Sequence, residues 1–65
     1  MQNLRKRRKA AGLSRAQLGR AADVSAETIE AIEMRGRATS VVIALRIARA
    51  LGTTVEDLTG GRRAS

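Results

Sequence analysis

Ser14-Arg15-Ala16-Gln17-Leu18-Gly19-Arg20-Ala21-Ala22-Asp23-Val24-Ser25-Ala26-Glu27-Thr28-Ile29-Glu30-Ala31-Ile32-Glu33-Met34 is the stretch on which the fold turns. It reads as two short helices, each opened by a serine and joined by a tight turn. Ser14 caps the first helix, and Gln17 three residues on completes a capping box that satisfies two otherwise orphaned backbone donors. Leu18, Ala21 and Ala22 give that helix an inner face. Gly19 presents no side chain where the second helix must cross closely. Asp23 then interrupts, and Asp is one of the few non-glycine residues that tolerates the left-handed conformation a sharp turn needs. Val24 plugs the corner, Ser25 caps again, and Ile29 and Ile32 anchor the second helix. One face of that second helix is left free, at a size that fits a major groove.

Composition bounds what can surround this motif. At 65 residues the chain is one domain, near the lower limit for folding without staples. It has no cysteine and no histidine, so neither disulfides nor a thiolate or imidazole metal site is expected, and no cofactor. It also has no aromatic residue and no proline. The core must be built from Leu, Ile, Val and Ala in short, closely packed helices. No apolar run approaches the roughly 20 residues of a membrane span, and no signal-peptide apolar region follows Met1, so a cytoplasmic location is expected.

The formal charge is +7, and its distribution says more than its sum. Residues 1 to 23 carry Arg5, Lys6, Arg7, Arg8, Lys9, Arg15 and Arg20 against the single acid Asp23. Residues 24 to 34 carry Glu27, Glu30 and Glu33 with no base. Arg35, Arg37, Arg46 and Arg49 follow, and Glu56 and Asp57 offset Arg62 and Arg63 in the remainder. A basic surface on a compact helical domain predicts attraction to a polyanion, and with it association with the nucleoid.

Outside the motif the pattern adds three helices and a tail. The first helix, about Asn3 to Ala11, holds five consecutive bases, which wrap more than its full circumference at about 3.6 residues per turn. They cannot all lie on one solvated face. With Leu4 and Ala11 pointing inward, Arg8, one turn after Leu4, falls at the core margin and needs a partner. Gly12 ends that helix. After the motif comes Arg35-Gly36-Arg37-Ala38-Thr39, a loop with arginines around a helix-ending glycine. A fourth helix starts after Ser40 and runs to Leu51, with Val41, Ala44, Leu45, Ala48 and Leu51 as its core stripe and Ile43, Ile47 and Ala50 as a second stripe. A short fifth helix begins near Thr53 or Thr54 and tucks Val55 and Leu58 back as a lid. The fold class is thus all-α, five helices within a domain of residues 1–58, followed by a flexible tail over 59–65.

In these residues the chain resembles the phage lambda repressor and Cro family of helix-turn-helix domains, the xenobiotic-response-element type, in a small single-domain form. The resemblance lies in Leu4 and Arg8, Gly12-Leu13-Ser14, Leu18 and Gly19, Val24-Ser25, and Thr28-Ile29-Glu30-Ala31-Ile32-Glu33. It continues in Ala44-Leu45-Arg46-Ile47-Ala48-Arg49-Ala50-Leu51-Gly52 and Val55-Glu56-Asp57-Leu58. It implies a five-helix lambda-repressor-like bundle and DNA binding, commonly as a dimer in transcriptional regulation. It also implies that Glu33 pairs with Arg8. Three positions depart from the family pattern. Arg15 replaces the usual glutamine at the start of the second helix, Asp23 replaces the turn glycine, and the loop glycine falls one residue late, at Gly36.

The free face of the motif's second helix is unusual for a DNA reader. Ala26, Glu27, Glu30, Ala31 and Met34 project outward, with no Arg, Lys, Asn or Gln to read guanine or adenine. Glu27 or Glu30 could accept from cytosine N4, Ala26 or Ala31 could touch a thymine methyl, and Ser25 could bond a phosphate or a base edge. Equally, Glu27 can serve only the helix N-terminus and Glu30 only a solvated face. Phosphate contacts are better supported: Arg15 and Gln17 open the preceding helix, whose N-terminal amides suit an anion, and Arg35 and Arg37 follow the motif. The candidate DNA contacts are therefore Arg15 and Gln17 before the turn, Ser25, Ala26, Glu27, Thr28, Glu30, Ala31 and Met34 after it, and Arg35 and Arg37 beyond.

No catalytic constellation appears, because Ser14 and Ser25 sit at caps with no base to activate them; the chain is not expected to be an enzyme. Two function classes remain. One is a sequence-specific double-stranded DNA-binding regulator acting as a homodimer. The other is a protein-interaction module, antitoxin-like or anti-regulator, that presents Glu27, Glu30 and Met34 to a basic partner. A membrane role is disfavoured because the basic first helix lacks large apolar residues that would insert. A dimer surface is expected on the bundle at Ile43, Ile47, Val55 and Leu58, with Ile43 projecting furthest; the alternative is that the stripe, Ile47 and Leu58 above all, is buried under the fifth helix within one chain.

Overall fold

The computed structural model describes residues 1–36, 38 and 40–59. Its helices run in the order α1 (Leu4–Ala10), α2 (Arg15–Ala22), α3 (Ala26–Arg35), α4 (Val41–Ala50) and α5 (Val55–Thr59). Side-chain caps begin four of them. Ser14 accepts from the Gln17 amide at 3.0 Å while Gln17 Oε1 accepts from the Ser14 amide at 2.8 Å, the reciprocal box expected from the sequence. Ser25 and Ser40 accept from the amides of Thr28 and Ile43, and Thr54 accepts from that of Asp57. Helix α1 has no such cap. Asn3 instead ties its start to α5, its amide donating to the Leu58 carbonyl at 2.8 Å and its side chain to the Asp57 carbonyl at 3.0 Å. Gly36 closes α3 in the left-handed region, at φ 83°, where a Cβ would be strained.

The core is assembled one or two residues per helix. Leu4, Leu18, Ile29, Ile32, Ile47 and Leu58 are the largest fully buried side chains, joined by Ala22, Ala44, Ala48 and Met1. Helix α2 packs on both α3 and α4, and α5 closes against α4 and α1. Ala22, Ala44 and Ala48 carry only a methyl, and Ala22 lies on α2 while the other two lie on α4. Small residues on both partners keep that helix pair close without aromatic filler.

Several expectations need correction. Ala11 and Ala21 are exposed, so α1 contributes Leu4 and Arg8 to the interior and α2 contributes Leu18, Gly19 and Ala22. On α4 the buried stripe is Ala44, Ile47 and Ala48, flanked by half-buried Ile43 and Leu51, whereas Val41 and Leu45 are 75% and 46% exposed. The cause is that Val41 to Ala48 is apolar at every position but Arg46. Two stripes therefore satisfy the helical period, and the packing of α2 and α5 chooses between them. The same packing withdraws Ile47 and Leu58 from any dimer surface, because both are completely buried within the chain. Ile43 and Val55 are half-buried against the core. Thr59 closes α5 instead of opening the tail; the rest of that tail lies outside the described residues.

Candidate nucleic-acid interface

The angle between α2 and α3 is set at Gly19 and Asp23. A Cβ on Gly19 would stand 2.5 Å from the Val24 carbonyl oxygen, closer than any side chain tolerates. The Val24 amide donates back to the Gly19 carbonyl at 2.8 Å. Between them Asp23 adopts φ 61°, the one non-glycine residue with positive φ among the described residues. The chain thus reverses in a turn that only a side-chain-free α2 can pass.

Three helices meet on one carboxylate. Arg8 of α1 is 7% exposed, and its Nε donates to Glu33 Oε2 at 2.6 Å while Nη1 donates to the Leu13 carbonyl at 2.9 Å. Arg15, the first residue of α2, donates from Nε to Glu33 Oε1 at 3.0 Å. The Glu33 side chain retains 2% of its exposure and that of Arg15 36%. Burial alone pushes the Glu33 carboxyl up; the hydrogen bonds from Arg8 and Arg15, with their charges, outweigh it and hold the group below its ordinary value. The cluster carries one net positive charge, which Arg15 brings to the surface at the start of α2. The Arg8–Glu33 pair expected from the resemblance is present, and Arg15 is an additional member. A local reading of the sequence missed the Arg15 bond because it joins residues 18 positions apart.

The other expected contacts divide by what already occupies them. Gln17 spends its carbonyl oxygen on the capping box, leaving its amide nitrogen. Ser25 and Thr28 share a hydroxyl–hydroxyl hydrogen bond of 2.8 Å, and Ser25 also accepts from the Thr28 amide. Both hydroxyls therefore serve the start of α3 first. Glu27, Glu30 and Met34 are exposed on its outer side, with Ala26 and Ala31 half-buried beside them. Arg35, the last residue of α3, is exposed. Arg37 lies outside the described residues.

Arg15, held on Glu33, and Arg35 thus both lie toward the C-terminal end of α3, while Glu27 and Glu30 occupy its first half. Among the described residues no group of His, Cys, Asp or Glu could hold a metal ion, and no helix is long and apolar enough to cross a membrane. Residues 4–58 match the family model for the helix-turn-helix. Comparison with curated proteins and with solved structures gave no significant match. The chain belongs to the helix-turn-helix family of the lambda repressor and Cro type, a family of DNA-binding domains.

Proposed function

We propose that the protein is a sequence-specific, double-stranded DNA-binding transcriptional regulator, working in the cytoplasm on the nucleoid as a homodimer. Helix α3 enters the major groove, and Arg15, Gln17, Arg35 and Arg37 contact the backbone around it. The observation that carries this reading is the bond from Arg15 Nε to the buried Glu33 carboxylate at 3.0 Å. It fixes one edge of a guanidinium at the start of α2 and leaves the terminal nitrogens for a phosphate oxygen. Such a pre-oriented fork loses little entropy on binding. Arg35, two residues after Glu33 on α3, supplies a second positive charge near the same end of that helix.

Ile43 and Val55 retain partial exposure for a dimer contact, but Val41, Val42 and Leu45 of α4 offer more apolar surface, at 75%, 57% and 46% exposed. Grouped exposed apolar side chains of this kind favour association.

The acidic outer side of α3 favours a second reading, in which Glu27, Glu30 and the 77% exposed Met34 dock on a basic protein. A salt titration separates the two. DNA binding through several arginines should show log K falling with log salt at about −0.9 per phosphate neutralised, near −4 to −8 for a dimer. Binding to duplex DNA that ignores ionic strength, or no binding at all, removes the regulator reading.

A further inference from the structure

Helix α3 can be accounted for side chain by side chain. Ile29 and Ile32 are buried, Glu33 is enclosed between two arginines, and the hydroxyls of Ser25 and Thr28 are bonded to one another. What remains on the outside before Arg35, the terminal residue assigned above to the phosphate backbone, is two carboxylates, a thioether and two methyl groups, without one strong hydrogen-bond donor. Glu27 and Glu30 make no ion pair or side-chain hydrogen bond among the described residues, so neither has a structural task beyond its place in the helix.

We infer that Glu27 is the specificity-determining residue of α3 and that it reads a cytosine, a carboxylate oxygen accepting from the exocyclic N4 amine in the major groove. The inference rests on the DNA-binding reading above and narrows it to a class of site. A carboxylate can only accept, and the major groove offers two base donors, cytosine N4 and adenine N6. Adenine N6 stands beside its own N7 and across from thymine O4, both acceptors that repel a carboxylate. Cytosine N4 has one such neighbour, guanine O6 of its partner. The apolar remainder fits the same half-site, because the methyls of Ala26 and Ala31 and the Met34 side chain suit thymine C5-methyl groups at adjacent steps.

Glu27 is preferred to Glu30 on placement. It is the second residue of α3, in the turn of a recognition helix that reaches base edges first. At about 100° per residue it lies nearly opposite the midpoint of Ile29 and Ile32, whereas Glu30 is rotated toward one side. Its charge carries a cost, since a carboxylate in the groove faces phosphate on both sides. Removing it should therefore strengthen binding to unrelated DNA while erasing discrimination at one base pair. A carboxylate without a base contact would do the first at most and leave the discrimination unchanged.

The test is selection of bound sequences from a randomised duplex pool with wild type, Glu27→Gln, Glu27→Ala and Glu30→Gln, each an exposed position outside the core. Wild type should enrich one cytosine per half-site. Glu27→Gln should convert that position to adenine, which glutamine reads bidentately, and Glu27→Ala should lower the preference there about tenfold or more. Both Glu27 variants should bind unrelated duplex more tightly than wild type. The inference is overturned alone if wild type selects a site whose cytosine is absent, persists in both Glu27 variants, or changes with Glu30→Gln instead. A wild type that enriches no sequence overturns the DNA-binding reading together with it.

Discussion

Arg15 and Arg8 approach Glu33 from different helices and use different oxygens: Arg15 Nε meets Oε1 at 3.0 Å and Arg8 Nε meets Oε2 at 2.6 Å. Glu33 therefore joins the interior of the bundle to its basic surface. Arg8 is enclosed and stabilises the junction of α1 with α3. Arg15 keeps 36% of its side chain exposed at the first turn of α2. One carboxylate supports packing on one side and a phosphate contact on the other, and the two effects separate experimentally.

The phosphate side is read from ionic strength. Arg15→Gln should make the dependence of log K on log salt shallower by about 0.9 for each copy bound, and Arg35→Gln should do the same. Both should weaken binding to all sequences alike, since phosphate contacts carry no base information. Arg49→Gln on α4 should leave the slope nearly unchanged. Equal slopes for wild type and Arg15→Gln would remove Arg15 from the backbone contact.

The packing side is read from stability. Glu33→Ala strands Arg8, which is 7% exposed, and breaking a buried pair in this way costs about 3 kcal/mol. Denaturant midpoints measure it, and a midpoint matching wild type would mean that the Leu13 carbonyl and solvent suffice for Arg8. Acid adds an independent check. The folded-state pKa of Glu33 lies below the free value of 4.5, so its stabilising contribution is complete above that value and is lost as pH falls through the folded pKa. The stability advantage of wild type over Glu33→Gln should accordingly hold at neutral pH and shrink as the pH falls below 4.5.

What was legible in the sequence was what is local. The capping box at Ser14–Gln17, the cap at Ser25 and the reversal at Asp23 each span four residues or fewer, and all were readable from residue type. So was the need for a partner at Arg8, since five consecutive bases cannot share one helix face. Two features were not local. The register of α4 is decided by neighbours, because Val41, Leu45 and Ile47 are equally apolar and only the packing of α2 and α5 picks Ile47. The Arg15–Glu33 bond depends on the start of α2 passing the end of α3, a crossing that no periodicity encodes.

Gly19 gives the sharpest steric prediction. In Gly19→Ala the new methyl would meet the Val24 backbone oxygen at 2.5 Å, and backbone cannot yield as a flexible side chain does. The expected loss is about 1–3 kcal/mol, the usual cost of overpacking. Weaker DNA binding should accompany it, because relief of the clash rotates α3 away from α2. Thermal melting and DNA affinity measured on the same variant check both parts. An unchanged melting temperature would show that the turn is more compliant than its geometry.

Asp23 points the other way. Its backbone is left-handed, at φ 61°, and its contact with Arg46 is 4.0 Å between largely exposed groups, which contributes little. Asp23→Gly should therefore stabilise the domain, by up to about 1 kcal/mol. A lower melting temperature for the glycine variant would assign a stabilising role to the aspartate side chain itself.

The last prediction concerns assembly. A domain of 65 residues covers about half of an operator, and one half-site discriminates poorly against a genome of competing sequence. Two copies on a two-fold axis would set their recognition helices roughly 34 Å apart on one face of the duplex. The apolar side chains still free to join them are on α4: Val41 and Val42 at its start and Leu45 one turn on, with exposures of 75%, 57% and 46%. Val42→Asp should leave the melting temperature near that of wild type, since the residue touches solvent, and should abolish self-association in sedimentation. Ile43→Asp should instead lower the melting temperature, because Ile43 is half-buried against the core. On a palindromic duplex the wild type should bind two to one, and Val42→Asp should bind with reduced cooperativity. A wild type that stays monomeric at high concentration and binds that duplex one to one would exclude the dimer, leaving α3 to select its site as a single copy.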